Sequence, residues 1–274
     1  MVQISILGCG WLGLPLGENL MQSGFIVKGS TTTSDKKEIL ETSGIPHYSI
    51  ALDPEIIPDE LPKFLEGSSI LIIAIPPKLR GKNKDYSDAN KNSFVKKIAS
   101  ILPTVEKSTV DKIIFISSTA VYGEANTTVT EASKPIPVTE SGKQLLEIEE
   151  LLLNNKDLKT TIIRFGGLIG PDRNPARFLA GKENVSNPDG PVNLIHLEDC
   201  IGVIKMIIND NIWNERLNAV APNHPTRKTY YTEKALEQNL IPPTFDETTE
   251  SVGKTIASDK LIQQYNYTFT QLTL

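Results

Sequence analysis

Gly8, Gly10 and Gly13 follow directly on a short apolar run, Val2–Leu7, and directly precede a stretch of helical periodicity that reaches about Ser23. No other feature restricts so strongly what this chain can fold into. At a strand–turn–helix corner with this spacing, the first glycine allows a tight turn. The second lets backbone come close to a ligand, and the third lets helix and strand pack closely. The helix start then presents free N–H groups and a positive dipole end, a seat suited to a pyrophosphate. Cys9, Trp11 and Leu12 complete the loop, and Gly24 closes the helix.

The same strand–helix unit recurs beyond the loop. Phe25–Gly29 and Tyr48–Leu52 are expected strands, with Ser34 as the N-cap of a helix over Asp35–Thr42 between them. Ser69–Ile75 is unbroken apolar from Ile70 onward, as a strand covered on both faces must be, and Pro76-Pro77 stops it. A helix is expected over Asn90–Leu102, a strand over Lys112–Ser118, a helix over Ser141–Leu153 and a strand over Thr160–Phe165. Alternation of this kind predicts an α/β chain with a Rossmann-type, doubly wound parallel sheet. After Gly170 the texture changes to Pro, Gly, Asn and charge. Residues 1–170 are therefore expected to form the dinucleotide-binding domain. Residues 192–221 return to the sheet, while 171–191 and 222–274 form a small C-terminal substrate lobe.

Composition narrows the partners. A net charge of -5 argues against a nucleic-acid footprint, which needs a clustered basic face. No apolar run reaches the length of a membrane span. Only two cysteines are present, too few for a disulfide framework, so a reducing, cytoplasmic compartment is the simpler reading. The three histidines have no metal-ligand spacing, and no metal is expected. Helices beside the sheet could pair two copies into a homodimer, although no seam in the sequence marks one.

The end of the second strand bears on which dinucleotide is held. NAD sites usually carry an acid there for the ribose diol. Here Ser30, Thr31 and Thr32 occupy that place, no acid comes before Asp35, and Lys36 and Lys37 follow. Hydroxyls beside ammonium groups suit a 2′-phosphate, so NADP is expected ahead of NAD, without an arginine to make a bidentate clamp. A solvated helix face is the alternative reading of the two lysines. Ala74, Ile75 and Pro76 would line the cofactor at the end of the fourth strand.

Three further segments carry a resemblance. Ile116-Ser117-Ser118-Thr119-Ala120-Val121-Tyr122-Gly123, Arg164-Phe165-Gly166-Gly167-Leu168-Ile169-Gly170-Pro171 and Asn193-Leu194-Ile195-His196-Leu197-Glu198-Asp199 resemble, in order, the strand-five, strand-six and late-helix signatures of the extended short-chain dehydrogenase/reductases, the NAD-dependent epimerase/dehydratase group. The resemblance implies a Ser or Thr that orients a substrate oxygen, a Tyr that is the acid/base, and a Lys four residues later that holds the nicotinamide ribose. It puts Ser118 or Thr119 at the hydroxyl position and Lys143 at the lysine. Ser117 and Phe165 then fall beside the cofactor, and Asp53 near its adenine.

The tyrosine's place is taken by Thr139, whose hydroxyl cannot stand in for a phenol of pKa about 10. Tyr122, at the end of strand five, is the substitute acid to consider, or else a residue that shapes the pocket. Tyr230 and Lys234 also have the spacing but fall in the C-terminal lobe. His196 with Asp199, and Arg173 with Arg177, could do acid/base or anion-binding work, with packing and surface roles as the plainer readings. Glu147, Glu149 and Glu150 are expected on a solvated helix face. Two functions remain in view: an NAD(P)-dependent oxidoreductase or epimerase/dehydratase-like enzyme on a small carbinol or carbonyl substrate, which the family suggests is a nucleotide sugar, and an NADP(H)-binding sensor without turnover.

Overall fold

The computed structural model describes residues 1–33, 35–77, 93–124 and 126–271. Ser34, the expected helix cap, and residues 90–92 of the helix expected over Asn90–Leu102 lie outside them. In chain order the first elements are β1 (Gln3–Leu7), α1 (Gly13–Gln22), β2 (Ile26–Thr31), α2 (Asp35–Thr42), β3 (His47–Ser49), α3 (Leu61–Leu65), β4 (Ile70–Ile73), α4 (Ser93–Glu106) and β5 (Lys112–Ser118). Then come β6 (Thr128–Val129), α5 (Glu140–Leu153), β7 (Lys159–Phe165), β8 (Gly167–Ile169), β9 (Leu194–His196), α6 (Leu197–Asn209), β10 (Arg216–Ala219), α7 (Arg227–Glu237) and β11 (Thr255–Ile256).

The main sheet has seven strands in the order β10-β7-β5-β4-β1-β2-β3, with parallel pairing from β3 through β5. The chain leaves β1 toward β2 and β3, then crosses back to β4. That reversal opens a crevice beyond the carboxyl ends of β1 and β4, where such sheets bind ligands. β4 is central, and all four of its side chains are buried, which accounts for its unbroken apolar sequence. It ends at Ile73, two residues earlier than expected, although Ala74 N still donates to the Leu7 carbonyl at 2.9 Å, and the Ala74 backbone lies against Gly8. The third strand is shorter and starts one residue earlier than its sequence suggested. It lies at the sheet edge, where one neighbour holds it through three residue pairs.

Two compact units divide the chain. One comprises Met1–Val121, Pro137–Ile163 and Ile204–Arg216, and the other Tyr122–Ile136, Arg164–Val203 and Leu217–Leu274. In the second unit β6 pairs with β11 and β8 with β9, and Ile169, Val192, Leu194 and Tyr230 form a core cluster. Asn193 holds β11 by its backbone: its amide donates to the Lys254 carbonyl at 2.7 Å and its oxygen accepts from Ile256 N at 2.8 Å. Asp199, in the first turn of α6, is completely buried. Its carboxylate accepts from the Tyr267 hydroxyl at 3.0 Å, from Thr270 N at 2.8 Å, from the Thr270 hydroxyl at 3.1 Å and from Gln271 N at 3.1 Å. Gly202 leaves room for this clasp, since a Cβ there would overlap the Tyr267 hydroxyl.

Tyr122, Tyr230, Tyr231 and Tyr267 of this unit all have phenol pKa values raised above 10, burial being the first cause of each. A raised phenol pKa favours the neutral form in the folded chain. The associated stability is complete below pH 10 and is lost as pH climbs through the higher folded values. Alkaline titration should therefore show these phenolates appearing together with loss of near-UV circular dichroism above about pH 10. Smooth ionisation near pH 10 with the fold intact would contradict this.

Candidate functional site

The glycine loop divides its duties by position. Gly8 has φ +105°, and a Cβ there would lie 2.5 Å from Ile75 Cγ2. A Cβ on Gly13 would overlap the Gly8 carbonyl oxygen, so only glycine lets α1 start this close to β1. At Gly10 a Cβ would meet, among the described residues, no atom within 4 Å beyond its chain neighbours. The chain's own packing therefore does not require a glycine there, whereas a ligand pressed against the backbone would. Leu12 gives α1 no side-chain cap, and the first turn holds no acid, so the positive end of the helix is not neutralised locally. These residues fit the pyrophosphate of a dinucleotide.

The β2 end supports the loop. Ser30, almost fully buried, accepts from Gly8 N at 3.1 Å, and its carbonyl accepts from Cys9 N at 2.8 Å. Thr31 is buried, and its hydroxyl accepts from Thr33 N at 3.2 Å. Thr32 and Lys36 are exposed. Lys37 is turned to Glu41, 3.9 Å away on its own helix. The Cys9 thiol is pushed up to about 12 by burial, against the opposing pulls of the Ser30 backbone and the Lys36 ammonium. One carboxylate oxygen of Asp53 accepts from Glu55 N at 2.9 Å and Ile56 N at 3.2 Å, closing its own turn. Ala74 and Ile75 are half-buried and Pro76 is exposed at the end of β4.

At the end of β5, Ser117 and Ser118 point to opposite faces, as strand neighbours do. The Ser118 hydroxyl accepts from Ala120 N at 3.2 Å, which starts the turn Thr119–Val121. A Cβ on Gly142 would overlap the Ala120 carbonyl oxygen, so glycine at this point allows α5 to rest on that turn. Thr139 is the N-cap of α5: its hydroxyl accepts from Gly142 N at 3.1 Å. Lys143 stands in the first turns of α5 on an exposed stripe with Glu147 and Glu150. Among the described residues its ammonium has no ion pair.

Two acids of that helix differ sharply in their surroundings. Glu150 is exposed and pairs with Arg216 at 2.7 Å. Glu149 is fully buried and accepts from the Ser117 hydroxyl at 2.5 Å, which corrects its expected place on a solvated face. It shares its side of α5 with Leu145, Ile148 and Leu152, so helix geometry carries it inward whatever its charge. Gln144 is equally buried. Its oxygen accepts from Phe94 N at 3.1 Å, holding the start of α4. No motif in the sequence marks this glutamine.

Tyr122 is only 2% exposed. Its hydroxyl accepts from Arg164 Nη1 at 2.7 Å and lies 2.9 Å from Asn218 Oδ1 and 3.1 Å from the Thr130 carbonyl, either of which can take its proton. The Arg164 guanidinium also stands 4.9 Å from the ring centroid. Burial raises this phenol's pKa despite Arg164. Phe165 is buried at the end of β7. His196 Nδ1 accepts from Glu198 N at 3.3 Å, whereas Asp199 is engaged by the C-terminal segment, so the two do not form an acid/base pair. Tyr230 is buried in the second unit's core. Among the described residues no group of three or more His, Cys, Asp or Glu could hold a metal ion. No helix among them is long and apolar enough to cross a membrane.

No family model matches the chain. Protein YeeZ of Escherichia coli (strain K12) is 35% identical over 274 residues, covering 98% of this chain and 96% of that protein. A functionally unknown conserved protein from Silicibacter pomeroyi DSS superposes with a TM-score of 0.78 at 20% identity, over 98% of this chain and 94% of its own. The UDP-glucuronic acid 4-epimerase of Bacillus cereus, in complex with NAD, gives 0.77 at 19% identity over the same shares. Both structural likenesses are likenesses of fold.

Proposed function

The chain belongs to the family of the Escherichia coli protein YeeZ, and we propose that it is an NAD(P)-dependent oxidoreductase or epimerase/dehydratase-like enzyme acting on a carbinol or carbonyl substrate. The observation that carries this reading is the glycine loop, above all Gly10, whose missing side chain answers to no neighbour among the described residues. When bound, the nicotinamide supplies hydride exchange with the substrate carbon. The chain's own residues bind, orient and shield. Ser118 and Thr119, at the end of β5, hold the substrate oxygen, and the Lys143 ammonium, without a carboxylate partner among the described residues, reaches the ribose hydroxyls. Tyr122 serves by holding its buried network, with its hydroxyl already bonded to Arg164, and an ordered water moves the proton in its place. The bound ligands of a B. cereus epimerase, UDP-glucuronic acid and NAD, suggest a nucleotide-activated sugar as the substrate class.

NADP is the preferred cofactor in this reading, through Thr32 and Lys36 at the adenine ribose. Ser30 and Thr31 are engaged within the loop and support it from behind. Titration of the purified protein should give NADPH binding at least about tenfold tighter than NADH, and Lys36→Glu should remove most of the difference. Equal affinities would overturn the preference, and no binding of either would overturn the assignment itself. A screen of nucleotide sugars and simple carbonyls for oxidation of bound NADPH then tests turnover.

One observation favours a second reading, a nucleotide-binding sensor without chemistry. The residue at the resembled tyrosine position, Thr139, uses its hydroxyl to cap a helix. Binding of NADPH with no turnover on any substrate in that screen is the result this reading expects.

A further inference from the structure

Glu149 is a charged group where a helix–sheet contact ordinarily asks for an apolar one. Its neighbours on the same face of α5 are Leu145, Ile148 and Leu152, all buried. A buried carboxyl side chain is weak evidence for stability, because apolar residues of similar volume usually serve as well or better. What the carboxylate does provide is a grip with direction. Ser117 donates to it at 2.5 Å, and Ser117 is the residue before Ser118. Seven residues toward the helix start, Gly142 lets α5 touch the Ala120 carbonyl. The helix therefore fixes the carboxyl end of β5 at two points, one on each side of Ser118 and Thr119.

The sheet order says which half of a dinucleotide this end would meet. β2 and β3 lie to one side of β1, and β4 and β5 to the other. With the pyrophosphate at the loop after β1 and the adenosine ribose at the end of β2, the remaining half extends across β4 toward β5. We propose that Glu149 is a positioning residue for the nicotinamide half of the site, acting through Ser117 to hold the strand end that carries Ser118 and Thr119. This rests on the dinucleotide reading above.

The test compares two ligands by calorimetry: NADPH, which spans the whole site, and adenosine 2′,5′-bisphosphate, which reports only its adenine half. Ser117→Ala and Glu149→Leu should each weaken NADPH about tenfold while leaving the bisphosphate within about twofold. Glu149→Gln, whose amide oxygen still accepts from Ser117, should restore most of the NADPH affinity. If Glu149→Leu fails to fold, Ser117→Ala decides, since it removes the same bond with one atom. Equal weakening of both ligands, or of neither, would overturn the positioning role. Wild-type protein that binds neither ligand, nor NADH, would instead overturn the dinucleotide reading.

Discussion

Valine in place of Gly13 is expected to abolish nucleotide binding and to lower the stability of the protein by about 3 kcal/mol. The first branch of the new side chain would have to share space with the Gly8 carbonyl oxygen, a backbone atom that cannot rotate away. Either α1 retreats from β1 or the loop opens, and in both cases the N–H groups that should meet the phosphates are displaced. Gly10→Ala supplies the contrast. Its Cβ meets, among the described residues, no atom within 4 Å beyond its chain neighbours, so folding stability should stay within about 0.5 kcal/mol of wild type. NADPH affinity should nevertheless fall at least about tenfold, because the methyl group enters the space where the pyrophosphate lies against the backbone. Urea denaturation beside NADPH titration separates the two effects. Wild-type affinity in Gly10→Ala would remove the loop from the cofactor site, and wild-type stability in Gly13→Val would show that the corner relaxes more easily than its geometry implies.

Asp199→Ala should destabilise the second unit by about 3–5 kcal/mol, comparable to removing one partner of a buried ionic contact. The substitution leaves both Thr270 donors and Gln271 N without their acceptor, and leaves the Tyr267 hydroxyl only the backbone carbonyl of residue 199, 3.2 Å away. Each such donor, if it stays buried, costs about 1–3 kcal/mol. The cheaper outcome is release of the segment from Tyr267 to Gln271, which caps the total. Protease cleavage near Tyr267 should accordingly become an early event in the variant and a late one in the wild type. A loss under about 1 kcal/mol, with the segment still protected, would mean that water or a neighbouring group replaces the carboxylate.

Features that depend on local spacing were legible in the sequence. The glycine loop, the unbroken apolar run of β4 and the helical periodicity of α5 arise from residues a few positions apart, and the sheet assembled as expected. Glu149 misled because its side-chain class spoke for solvent while its position, four after Leu145 and three before Leu152, spoke for the core. The periodicity was the better guide. Tyr122 lay beyond sequence reasoning for a different reason. Its hydroxyl partners, Arg164 and Asn218, stand 42 and 96 residues further along the chain, and no local pattern announces such a meeting. Asp199 is a third case. A carboxylate in the first turn of a helix has a sufficient local explanation, which concealed its clasp on a segment 68 residues and more away.

Thr139 bears on redesign. Its hydroxyl holds the first turn of α5. Thr139→Tyr would forfeit that cap, at a cost of about 1 kcal/mol, before any acid/base benefit appeared. The helix start thus charges an entry fee for a phenol at this place, which a second, compensating cap would have to offset.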